Sequence, residues 1–219
     1  MTRLIVLSLA LLAGILVAAP AGAQGIPTHL PFLSLVDGIL FPGVSEEVQI
    51  IEPRSRVLID DALKGDRIIG LVTIRPGTTP NARGWRELFP VGMVCVIDDV
   101  SRYPDGRLFV VLRGVMKFRI EKETTERDYR TGDIDPLPEP LEDRDRPALR
   151  ELRVRVDELA RAVDPVVLPQ MDDDLRINSL AFYMDLDRFE RQSLLERDGV
   201  VARAHAILDL LTMKLAAPH

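Results

Sequence analysis

Cys95 is the only cysteine in the 219-residue chain, and it sits between Val94 and Val96 in an apolar run. A nucleophilic thiolate needs a nearby base or a positive environment, and this setting reads instead as a small hydrophobe packed in a strand. The four lysines, Lys64, Lys117, Lys122 and Lys214, stand in no nucleophile motif, and no Gly-x-Ser-x-Gly elbow is present. His29, His205 and His219 lie far apart, and none pairs with Cys95 at ligand spacing. Asp172-Asp173-Asp174 lacks the alternation and closing glutamate of a calcium loop, so it reads as a helix N-terminus favoured by the dipole. Gly38 to Ser45 copies the glycine spacing and terminal serine of a phosphate loop. However, Val44 occupies the lysine position, and Pro42 removes an amide that would cradle phosphate. No catalytic residue, metal ligand or cofactor is expected.

The bulk composition narrows the classes further. There are 28 Lys plus Arg against 34 Asp plus Glu, a net charge of −6, and 47% hydrophobic residues. That hydrophobic content supports a folded globule, and the acidic balance argues against binding a phosphate backbone. Arg3 precedes an apolar run from Leu4 to Ala19, then Pro20 and Ala21-Gly22-Ala23 before Gln24. This is the pattern of a signal peptide over residues 1–23, cut after Ala23, and it leads to the expectation of an exported protein, periplasmic or extracellular. The alternative, an uncleaved anchor, would want about 20 apolar residues.

Stepping along the chain, Leu30 to Leu35 reads as a strand, Asp37-Gly38 as a break, and Phe41-Pro42-Gly43 as a forced turn. Strands are expected at Val44–Glu52, Arg67–Ile74, Val91–Val100, Arg107–Leu112, Val115–Lys122 and Tyr129–Asp135, with a short helix at Arg54–Lys64. Asp105 and Gly106 make the tightest turn, and Gly114 is expected to break the run between two of the strands. From Pro147 the apolar period turns helical: Leu149, Leu152, Val156, Leu159 and Val163. Further helices are expected over Leu175–Met184, after an Asp187/Glu190 capping box, and along Val200–Leu215 with Arg203 and His205 on the polar face. A β-rich part over 28–140 and a helical part over 147–217, joined through prolines, make an α+β arrangement.

The opening Leu30–Gly43 resembles the start of the Lon protease N-terminal (substrate-binding) domain. The apolar strand Arg67–Ile74, Pro90–Ile97, the Pro104–Leu108 hairpin, the Leu112–Ile120 strand and the helices across Asn178–Leu211 are similar to that family in order and spacing. Ser34, Val36 and Lys117 depart from its usual residues. The resemblance implies a PUA-like small β-barrel followed by a helical bundle, and contact with unfolded or extended polypeptide without catalytic residues. Full-length Lon continues into ATPase and Ser–Lys protease domains, whereas this sequence stops at His219. The expectation is therefore a non-enzymatic protein- or peptide-binding module acting independently of ATP. A ligand-sensing or scaffold role, as in cereblon-like relatives, is the alternative, and an uncharacterised hydrolase ranks behind it. Candidate peptide-contact or lid residues are Phe41, Trp85 and Phe89, and the structural turn residues are Pro42, Gly43, Asp105, Gly106 and Gly114. For Trp85, in a Gly/Pro-rich loop, a lid is favoured over a binding anchor, because tryptophan is usually well buried.

Overall fold

The computed structural model describes residues 25–124, 126–163 and 169–216, so the leader expected at the N-terminus lies outside the described residues. The chain builds β1 (His29–Leu35), β2 (Ser45–Ile50), α1 (Pro53–Lys64), β3 (Ile68–Thr73), β4 (Val91–Arg102), β5 (Leu108–Thr124) and β6 (Arg130–Leu137). Four helices follow: α2 (Arg146–Val163), α3 (Asp173–Tyr183), α4 (Arg188–Leu195) and α5 (Gly199–Ala216). This is the expected α+β class.

The sheet runs β2-β5-β4-β3-β1-β6, and β6 also pairs with β5. Strands β5, β4, β3, β1 and β6 therefore close a ring, while β2 hangs outside it on the first half of β5. Among the described residues, β1–β3 is the one parallel pair. The 17 residues of β5 make this possible: Leu108–Arg113 pairs with β2, and Lys117–Thr124 pairs with β6.

Gly114 does not break the run as expected. The strand passes through it, and the register with β4 slips from Val94↔Met116 to Cys95↔Gly114. Val115 is left as a bulge residue, which bends the strand and turns the side chains beyond it. The segment Ile39–Phe41 also departs from strand geometry, yet all three side chains are buried.

Two cores result. Inside the ring, Phe32 and Phe118 stack at 5.7 Å among Leu30, Val72, Val94 and Ile134. The backbone must leave room for these rings: a Cβ at Gly70 would lie 2.8 Å from Phe32, and one at Gly92 would lie 2.8 Å from Phe118. The larger core joins Ile39, Leu40 and Phe41 to α1, to the outer faces of β4 and β5, and to α2–α5. The stripe of α2 packs through Leu149, Leu152 and Val156, and α5 answers with Ala204, Ile207 and Leu211. At the start of α4 the capping box closes both ways: the Glu190 amide donates to Asp187 at 2.8 Å, and the Asp187 amide donates to Glu190 at 2.9 Å.

Candidate functional site

The Phe41-Pro42-Gly43 corner is where the barrel meets the helices. Gly43 takes φ +78°, a conformation glycine adopts without strain, and this lets its amide donate to the Gly114 carbonyl at 2.8 Å. In return the Gly114 amide donates to the Val44 carbonyl at 2.9 Å. From the helical side, Asn178 Nδ2 donates to the Pro42 carbonyl at 2.9 Å. Phe41 is completely buried, and the Arg203 guanidinium lies over its ring at 5.3 Å. The candidate contact role for Phe41 is thereby corrected: its ring is a packing anchor and meets no solvent.

Beneath the corner sits an ionic cluster that sequence reasoning missed. Arg203, expected on a polar face, has no exposed surface. Its Nη2 donates to both Glu139 oxygens, at 2.8 and 2.9 Å. Its Nη1 donates to Asn178 Oδ1 at 2.6 Å, and its Nε donates to the Leu194 carbonyl at 3.1 Å. Lys117, also buried, pairs with Glu139 and donates to the Arg197 carbonyl. Burial pulls the Arg203 guanidinium below the usual arginine range, and the Glu139 charge opposes that pull. One carboxylate from the joint thus holds one cation from β5 and another from α5.

Two grooves flank the corner. One, of about 330 Å³, is lined by Pro42, Val115, Pro138, Leu141, Asn178 and Val200. The other, of about 380 Å³, follows β2 and is lined by Asp37, Leu40, Glu46, Val48, Phe182 and Arg191. Strand β2 has β5 as its paired neighbour, and among the described residues its other edge carries no strand. Burial, helped by the neighbouring charge of Glu47, raises the Glu46 pKa above the ordinary carboxylate value. Opposite, Arg191 pairs with Asp37 at 3.3 Å.

The remaining candidates are scattered. Trp85 is buried in its loop between the guanidinium groups of Arg83 and Arg130, each 5.2 Å from the ring. Phe89 is half-buried and meets exposed Phe189 of α4 edge-on at 6.1 Å. Asp105 and Gly106 form the β4–β5 turn, with Gly106 at φ +84°. His29 pairs with Asp133 at 2.7 Å, and Asp173 pairs with Arg150 and Arg153. Among the described residues, no group of three His, Cys, Asp or Glu side chains is placed to hold a metal ion.

Cys95 is fully buried, and desolvation pushes its thiol far above the ordinary range. A thiol reagent is therefore expected to label it only at the rate of unfolding, with prompt reaction in urea. Stoichiometric labelling of the native protein within seconds would show that the β3–β4 face opens readily.

Comparison with known proteins agrees with this architecture. The family model described as the ATP-dependent protease La (LON) substrate-binding domain matches residues 29–213. Lon protease from Flavobacterium johnsoniae is 28% identical over 203 residues, covering 88% of this chain and 25% of that protein. Lon protease from Trichlorobacter lovleyi is 30% identical over 200 residues, covering 85% of this chain and 24% of that protein. The chain thus spans about a quarter of the length of these relatives. Among solved structures, the N-terminal domain of the Mycobacterium avium complex Lon protease aligns with a TM-score of 0.65 at 17% identity, covering 84% of this chain and 98% of that one. The Lon N-terminal domain protein from Xanthomonas campestris aligns with a TM-score of 0.60 at 22% identity, with the same coverage. With the family model spanning barrel and helices alike, the chain belongs to the LON substrate-binding domain family.

Proposed function

We propose that this chain is an exported polypeptide-binding module that engages extended segments without nucleotide, with β2 as the docking edge. The observation that carries the edge reading is the unpaired side of β2 lying beside a groove with apolar floor residues Leu40 and Val48. An added strand gains main-chain hydrogen bonds from such an edge, and alternate side chains reach the groove. Family membership supports the polypeptide partner, and the leader-like pattern before Gln24 supports export.

Glu46 and Glu47 set the preference of that edge. Paired acids on an edge strand discourage indiscriminate pairing, so a productive partner brings Lys or Arg opposite them. Burial, then the neighbouring Glu47, makes the ionised form of Glu46 harder to reach in the folded module than in a free carboxylate. The contribution of Glu46 to stability is complete below the ordinary carboxylate value and is lost as pH rises through the raised value. A docked cation favours the ionised form, so affinity for basic peptides rises with pH across that window and a proton is released.

Fluorescence anisotropy with a labelled, extended lysine-containing peptide tests this. Glu46→Lys with Glu47→Lys is expected to weaken binding about tenfold, through lost attraction and added repulsion at a partly exposed site. Unchanged affinity would remove β2 from the binding surface. Parallel retention of an unfolded client on the immobilised module, with and without ATP, is expected to give the same yield. No retention in either case would overturn the proposal.

A further inference from the structure

A third cavity lies at the start of α1. It holds about 390 Å³ and is more enclosed than either groove beside the corner. Its walls include Glu52, Arg54, Ser55, Trp85, Arg86 and Arg130, three cations to one carboxylate. In a chain of net charge −6, three arginines meet here around the only tryptophan.

What distinguishes the cavity is donors without acceptors. Helix α1 is 12 residues long and begins at Glu52 and Pro53, and no side chain caps its first turn. The first amides of a helix have no partner within it, and they carry the positive end of the helix dipole. Arg130 is only 5% exposed at its side chain. Its Nη2 donates to the Arg86 carbonyl, while Nη1 makes no hydrogen bond and has Glu123 3.4 Å away. Trp85 is 8% exposed, and its Nε1 also lacks a partner. A buried donor left unsatisfied is costly, so the unpartnered Trp85 N–H, beside an Arg130 guanidinium whose Nη1 has only the 3.4 Å ion pair with Glu123, calls for a ligand acceptor at this helix N-terminus.

We infer that this cavity receives the C-terminal carboxylate of a bound polypeptide, held by Arg130, Trp85 Nε1 and the first amides of α1. This rests on the polypeptide-binding reading above and assigns it a second contact. A carboxylate offers two coplanar acceptor oxygens, matching a guanidinium edge and a neighbouring N–H donor. A chain end can enter an enclosed pocket that a continuous chain would have to fold back to reach. At the mouth, Val36 is 60% exposed and supplies an apolar surface for the last side chain.

Trp85 is its own reporter, since the chain has no other tryptophan. The full chain is titrated with an acetylated hexapeptide ending in a free valine carboxylate, with the same peptide as its amide, with an amidated version carrying an internal glutamate, and with inorganic phosphate. A saturable change in tryptophan emission with the free acid is expected, at least tenfold weaker with the other three. Arg130→Gln should abolish it. Because that residue is buried, Arg54→Gln on the exposed rim gives a second reading, a several-fold loss in a protein whose circular dichroism is unchanged. Equal binding of the amide, the internal glutamate or phosphate overturns the assignment to a chain end. No emission change while unfolded client is still retained overturns the cavity alone; loss of both overturns the polypeptide reading as well.

Discussion

Glu139→Gln is expected to lower the unfolding free energy by about 3–5 kcal/mol, a large share of the stability of a single domain. Arg203→Met is expected to cost less, about 1–3 kcal/mol, although Arg203 is the more deeply buried of the two. The order follows from counting charges. Within the cluster one carboxylate faces two cations, Lys117 and Arg203, whose side chains are 5% and 0% exposed. Removing Glu139 leaves both cations buried, near one another and without an anion. Removing Arg203 leaves a neutral Lys117–Glu139 pair, and the losses are then the bonds to Asn178 and the Leu194 carbonyl. Replacing a whole buried ionic group by apolar side chains is often neutral, so Lys117→Met, Glu139→Leu and Arg203→Met together should recover much of the loss. Urea unfolding at neutral pH, followed by Trp85 emission, measures all three. Arg203→Met proving the more damaging, or additive effects of Glu139→Gln and Arg203→Met, would mean that the carboxylate does not hold both cations at once.

That cluster also marks the limit of what the residues announce by themselves. The corner at Phe41-Pro42-Gly43, the turn at Asp105-Gly106 and the cap at Asp187/Glu190 were legible because each depends on neighbours within a few positions. Glu139 lies between Pro138 and Pro140, and its partners sit 22 positions back and 64 ahead in the chain. Nothing local marks it as a hub. Arg203 reads as a polar-face residue by its type, yet it stands beside Ala204 between Val200 and Ile207, on the stripe that packs inward. Lys117 is equally non-local: Phe118 faces the inner core, while Lys117 is covered from the other side by Glu139 and the Arg197 carbonyl, neither of them near it in the chain. The open edge of β2 is likewise a property of pairing. The run Ser45–Ile50 reads as a strand from its own residues, but only the long β5 decides that one side of it stays unpaired. The cavity at α1 depends on Trp85 and Arg130 meeting across the barrel, which no spacing in the chain foretells.

Gly114→Ala is expected to cost roughly 3 kcal/mol or more. A Cβ at this position would lie 2.3 Å from the Phe41 carbonyl oxygen and 3.0 Å from its carbon. Both atoms are backbone, so no rotamer change relieves the clash. The Phe41 carbonyl cannot withdraw easily, because the Gly43–Gly114 and Gly114–Val44 hydrogen bonds fasten the corner to β5, and Asn178 fastens it to α3. Separating the strands by the needed distance would break those bonds and lift the Phe41 ring from beneath Arg203. Gly77→Ala provides the contrast. Gly77 has φ +76° with nothing near its missing Cβ, so that change carries only the backbone strain of a left-handed residue, about 1 kcal/mol. Calorimetric melting of both variants separates the two causes. If Gly114→Ala melts with Gly77→Ala or above it, the corner is not clamped between barrel and helices. If it melts far below, the glycine within β5 is required for the close approach that joins them. The groove beside β2, and the client retention proposed for it, should then be lost at the same temperature as the fold.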